Sequence, residues 1–144
     1  MEALMLALMA WLSPVTGLQA PIETPRIAYA DYQAMVEVVS PGCEAEECPN
    51  VLAYYNHDTD TIVLSDWWSQ RSLRDVSILA HELVHYMQDM QGINMTAVQC
   101  PGYELEGPAY RAQIAFLEAA GVDAKELLGV NDLWLFMMTA PCHV

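Results

Sequence analysis

The chain has 144 residues, of which 54% are apolar, and a formal net charge of −14 from nineteen acidic and five basic side chains. That length supports one domain around a single core and is too short for two lobes facing each other across a cleft. The acidic excess excludes nucleic acid and anionic membrane surfaces as partners; it is spread along the chain, with one small cluster at Glu44, Glu46 and Glu47, and reads as a solvated surface.

Residues 1–20 carry the first element. Ala3–Leu12 is almost unbroken apolar sequence, long enough for the hydrophobic region of a signal peptide and too short to span a bilayer. Ala20 then offers a cleavage point, although Glu2 stands where such leaders carry Lys or Arg. The expectation is export to the periplasm or the extracellular space, leaving residues 21–144 as the working domain. A segment that stays uncleaved would instead form a hydrophobic N-terminal helix, the chain's one route to a membrane. Cysteine usage agrees with export: there are four, and none lies at zinc-finger spacing. Sequence alone allows three pairings. Cys43–Cys48, closing a small loop, and Cys100–Cys142, tying down the C-terminus, are the expected disulfides.

Pro21–Arg26 reads as a linker and Ala28–Val39 as a short amphipathic helix, with Tyr29, Tyr32, Met35, Val36 and Val39 on one side. Pro41–Asn50 is a loop. Val51–Tyr55 and Thr61–Leu64 are β-rich runs around Asn56–Asp60, a hairpin by composition. His57 then falls in a solvated turn. Trp67 and Trp68 stand at an element junction, where aromatic pairs serve packing more often than a substrate pocket.

Ser72 and Asp75 have the spacing of a capping box, which starts a helix near Leu73. Val76, Leu79, Ala80, Leu83, Val84, Met87 and Met90 recur at helical spacing and predict a largely buried helix that stops at Gly92. Mid-helix stands His81-Glu82-Leu83-Val84-His85, the H-E-x-x-H pattern, which arises by chance in about one chain of this length in a hundred. Side chains four apart on a helix stand one above the other, so His81 and His85 can reach one metal ion. Glu82 is offset by one residue. That suits a carboxylate acting on a metal-bound water as general base, rather than a ligand.

Two imidazoles need a third protein donor if zinc is to keep one open position for chemistry. Glu104 and Glu106 are the acids between Asp89 and Glu118. Pro108 marks the first turn of a second helix, whose stripe runs Ala109, Ala112, Phe116 and Ala120 and closes at Gly121. Both glutamates would also suit the positive end of that helix without any metal. Glu106 is the expected ligand, because it shares the phase of Ala109, Tyr110 and Gln113 and so the face toward the histidine helix. Glu104 stays open as the alternative. Tyr103 and Tyr110 flank the site as possible donors to a tetrahedral intermediate. Farther on, Asp123–Leu128 and Asn131–Met138 read as two helices, with Leu133, Trp134, Phe136, Met137 and Met138 as core, and His143 near the frayed end. There is no internal repeat.

His81-Glu82-x-x-His85 followed by a helical Glu106 resembles the gluzincin group of zinc metallopeptidases, to which thermolysin belongs. More narrowly, His81–Gln88 with Glu106–Gln113 is similar to small bacterial proteins known mainly as domains of unknown function. The resemblance covers roughly residues 50–120. It implies His81, His85 and Glu106 as zinc ligands and Glu82 as general base. It also implies a small sheet whose edge strand holds an extended peptide, and Thr61–Leu64 is the candidate edge. Thermolysin-like enzymes carry an Asp four residues after the ligand Glu to orient a histidine; here that position is Tyr110, so the residues behind the ligands must differ. The expected fold is therefore α+β: a mainly helical, minimal zincin-like domain with a short hairpin sheet on the motif helix. The expected function is zinc-dependent hydrolysis of a peptide or protein substrate. The alternative is a zinc-stabilised or disulfide-tied binding protein whose H-E-x-x-H site is vestigial. Manganese or iron also suits a His-His-Glu donor set.

Overall fold

The computed structural model describes residues 1–43 and 51–142. Its apolar N-terminal segment folds as helix α1 (Glu2–Thr16), which buries Met5, Leu8, Met9 and Leu12 and ends at Gly17 in the left-handed region. Strand β1 (Arg26–Ala30) follows, then helix α2 (Tyr32–Val39), strands β2 (Ala53–Asn56) and β3 (Thr61–Ser65), and the long helix α3 (Leu73–Met90). A π-helical turn (Gly102–Glu106) leads straight into α4 (Gly107–Ala119), and two short helices, α5 (Ala124–Leu128) and α6 (Asp132–Thr139), complete the chain. The architecture is the expected small, mainly helical α+β domain with a short sheet.

The sheet has the order β1-β3-β2, with β1 parallel and β2 antiparallel to β3. Two local expectations change as a result. Ala28–Ala30 is strand rather than helix, because those residues find partners on β3 from Val63 to Ser65. The helix begins only after Asp31, whose carboxylate accepts the Gln33 and Ala34 N–H groups as an N-cap. Thr61–Leu64 lies at the centre of the sheet, so among the described residues the edge strand toward α3 is β2.

The main core gathers Met9 and Leu12 of α1, Ile62 and Leu64 of β3, Leu79, Leu83, Val84 and Met87 of α3, and Ala109 and Ala112 of α4. Small alanines on α4 let it lie close against α3, and Phe116 meets the edge of Trp11 from α1 at 5.8 Å. Ser72 accepts the Asp75 N–H and starts α3 where expected, but the Asp75 carboxylate turns back to the Ser69 N–H instead of completing the box. Met90 and Ala120, expected at the buried ends of their stripes, are exposed. The larger correction is α6. None of its residues is buried, and Leu133, Phe136 and Met137 are each about two-thirds exposed. It lies on the surface, tied by the Cys100–Cys142 disulfide and by Trp134, which packs edge-on against Tyr110. Cys48, and with it the expected Cys43–Cys48 pair, the Glu44, Glu46 and Glu47 cluster, and His143 fall outside the described residues.

Candidate metal centre

The helical repeat of α3 brings His81 and His85 together on one face, with their Nε2 atoms 3.2 Å apart. The π-helical turn aims Glu106 at them: one carboxylate oxygen lies 3.2 Å from His81 Nε2 and the other 3.4 Å from His85 Nε2. One donor atom from each of the three residues falls within 4.8 Å of the others. Nitrogens bound to one tetrahedral zinc at about 2.0–2.1 Å stand roughly 3.3 Å apart, so the imidazole spacing fits that ion.

Hydrogen bonding behind the ring decides what the two imidazoles present. Gln88 Nε2 donates to the Leu105 carbonyl at 3.0 Å, which leaves its Oε1 facing His85 Nδ1 at 3.0 Å. A carbonyl only accepts, so His85 Nδ1 carries the proton. Ser77 Oγ commits its proton to the Arg74 carbonyl and accepts from Gln113 Nε2, leaving Gln113 Oε1 facing His81 Nδ1 at 3.1 Å. His81 Nδ1 is therefore also the donor. With Nδ1 engaged, each ring turns its Nε2 toward the other and toward the Glu106 carboxylate. In their neutral form the two rings would present lone pairs there, and with the carboxylate could hold a cation between them.

The negative charges around the rings favour positive charge at that point. Burial pushes the His85 imidazole down, but the Glu106 hydrogen bond and the Glu82 and Glu106 charges outweigh it and raise it to about 9. Burial alone would raise Glu106, yet hydrogen bonds from His81 and His85 hold it well below the usual carboxylate range. Glu104 is engaged elsewhere: one of its oxygens accepts the Gln99 and Cys100 N–H groups, 3.0 and 2.7 Å away, and caps the turn that carries Glu106. Glu82 faces the cleft beside the histidines. Desolvation lifts its carboxyl, and Glu106 adds to the rise; His81, His85 and a hydrogen bond from the Tyr55 backbone on β2 act against it.

The centre lies in a cleft of about 600 Å³, walled by the outer edge of β2 on one side and by Leu128, Val130 and Trp134 on the other. A smaller hollow of about 170 Å³ shares Tyr55, His85 and Glu106, so both hollows reach the centre. Tyr110 sets its ring edge-on against His81 at 4.5 Å, and burial with the Glu106 and Glu82 charges pushes its phenol up to about 12. Tyr103 is exposed and away from the cleft. Trp68 is buried and donates to the Asp75 carbonyl, and Trp67 stacks on Tyr32 outside the cleft, so both serve packing. His57 is an exposed turn residue beside Asp58, at the rim of the smaller hollow.

Sequence reasoning set Gln113 on the face toward the histidine helix and had Gln88 in the motif, but gave neither a role. Each is a buried amide on a helix face otherwise given to the core, three residues after His85 and seven after Glu106. A buried polar group has to be hydrogen-bonded, and that was the available signal.

The model of one family, described as Domain of unknown function (DUF6647), matches residues 1–143, and the chain belongs to that family. No curated protein and no solved structure matches the chain.

Proposed function

We propose that this member of the DUF6647 family is a zinc-dependent peptide hydrolase, with His81, His85 and Glu106 as ligands and Glu82 as general base. One observation carries the reading: two imidazoles, each held at Nδ1 by a glutamine with its Nε2 inward, meet a carboxylate in an open cleft beside a desolvated glutamate. Zinc held there would polarise a scissile carbonyl and acidify a water molecule. Glu82 would take the proton released on attack and deliver it to the leaving nitrogen, a shuttle that a carboxyl lifted above its ordinary range performs well. Apart from the Tyr55 backbone group that bonds Glu82, the outer edge of β2 could hold an extended chain by main-chain hydrogen bonds, with open space at the centre. Tyr110, protonated at neutral pH and lining the cleft, is placed to donate to developing negative charge.

A purely structural zinc site would close its coordination sphere with a fourth protein ligand. Among the described residues only His81, His85 and Glu106 form a group that could hold a metal ion, and one Glu104 oxygen is engaged by two backbone N–H groups. A structural site would also have no use for a desolvated carboxylate at Glu82.

The test pairs metal content with cleavage of a peptide library. The wild type is expected to bind one zinc per chain and cleave. His85→Ala and Glu106→Ala should lose both properties, while Glu82→Gln should keep zinc and lose at least about a hundredfold in rate. Hydrolysis by Glu82→Gln at the wild-type rate would refute the mechanism. Absence of zinc from the wild type after incubation with the metal would refute the site.

A further inference from the structure

We infer that Arg74 is a recognition group for a substrate carboxylate, so that the preferred peptides carry an acid group two or three residues from the bond that breaks. This rests on the peptide-hydrolase reading and gives it a substrate class. Arg74 lines the same cleft as His81, Glu82 and His85 and is the only Lys or Arg to do so. Of the chain's five basic side chains it is also the only one that is not exposed. Arg26 and Lys125, by contrast, have partners at the surface, in the Thr59 carbonyl and Asp132.

Among the described residues the Arg74 guanidinium has no ion-pair or hydrogen-bond partner. Arg74 is only partly exposed, and a guanidinium that lines a cleft with no partner among the described residues is available to an incoming anion. Its five N–H donors fit a carboxylate in a two-pronged manner.

Position along α3 sets the distance. Arg74, Ile78 and Glu82 follow one another at four-residue spacing on one face, which places Arg74 about 12 Å along the axis from the general base. An extended peptide rises about 3.3 Å per residue, and the arginine side chain shortens the gap, so two or three residues span it. The wall between is apolar, with Ile78, Leu128, Val130 and Trp134. It would receive apolar side chains and strengthen the charge pairing by excluding water. The carboxylate can belong to a peptide C-terminus or to an Asp or Glu side chain.

Calorimetric binding of peptide hydroxamates to the zinc-loaded full chain tests this. One pair of probes differs only in a C-terminal acid or amide. A second pair is amidated and differs only in an Asp or Asn side chain. One acid probe is expected to bind about tenfold or more tightly than its amide partner, and which pair responds identifies the source of the carboxylate. In Arg74→Gln that ratio should fall to near one, and Arg74→Lys should restore part of it. Equal binding of acid and amide in both pairs, or a preference that survives in Arg74→Gln with zinc content intact, overturns the inference while leaving the hydrolase reading in place. A chain that binds neither zinc nor any hydroxamate overturns both.

Discussion

Gln88 joins the two halves of the candidate centre through one side chain. Its carbonyl holds the His85 ring, and its amide nitrogen holds the Leu105 carbonyl next to the residue that supplies the carboxylate. Gln113 does the corresponding work for His81, anchored through Ser77. Loss of such a partner costs about 10–100-fold in metal affinity. Gln113→Leu is therefore expected to weaken zinc binding by that factor, measured by competition with a chromophoric chelator, while Gln113→Glu should bind zinc at least as tightly as the wild type. Equal affinity in the wild type and Gln113→Leu would show that the ring needs no support. At this scale the sequence was legible where spacing carries the chemistry, as at His81, Glu82 and His85. It set Gln113 on the right face but gave neither glutamine a role, because a neutral amide has no fixed offset from the ring it steadies.

The elements were legible where their signals are local. The Ser72 cap and the 3.6-residue stripe delimit α3, and Pro108 marks the opening turn of α4. Strand β1 was not legible, since its conformation depends on β3, far along the chain. The central place of β3 was hidden for the same reason: a hairpin signal says which strands pair, not which neighbour covers the other edge. Helix α6 misled by composition. Its apolar residues suggested core, yet only Trp134 among its cleft-side residues reaches Tyr110, and the helix depends on a covalent tie. The Cys100–Cys142 disulfide spans 42 residues, a loop whose closure is worth roughly 3–4 kcal/mol. Cys142→Ser should accordingly lower the melting temperature by about 10 °C or more, read by circular dichroism. An unchanged melting curve would mean that α6 adds nothing to the fold.

For the whole molecule, the decisive feature is that α1 sits inside the core. Met5, Leu8, Met9 and Leu12 are packed with α3 and α4, and burying four such side chains contributes at most on the order of 6–12 kcal/mol. That is comparable to the entire stability of a domain this size, about 5–15 kcal/mol. A chain beginning at residue 21 is expected to show no cooperative thermal transition, whereas residues 1–144 should melt sharply. A cooperative melt of the shortened chain would show that the remaining core suffices. This burial and the expectation of cleavage after Ala20 pull in opposite directions. An apolar run of that length carries the same sequence pattern whether it is discarded or packed, and only the surfaces of α3 and α4 distinguish the two fates.

The two glutamines behind the imidazoles carry one more consequence. Where a carboxylate stands behind a ligand histidine, it makes the ring more basic and tightens its grip on the ion. Neutral amides orient the rings without that electron donation. A zinc ion held this way would be a sharper Lewis acid and a looser tenant. Occupancy would then follow the free zinc of the surroundings, and scarcity of the metal would leave folded molecules idle until supply returned.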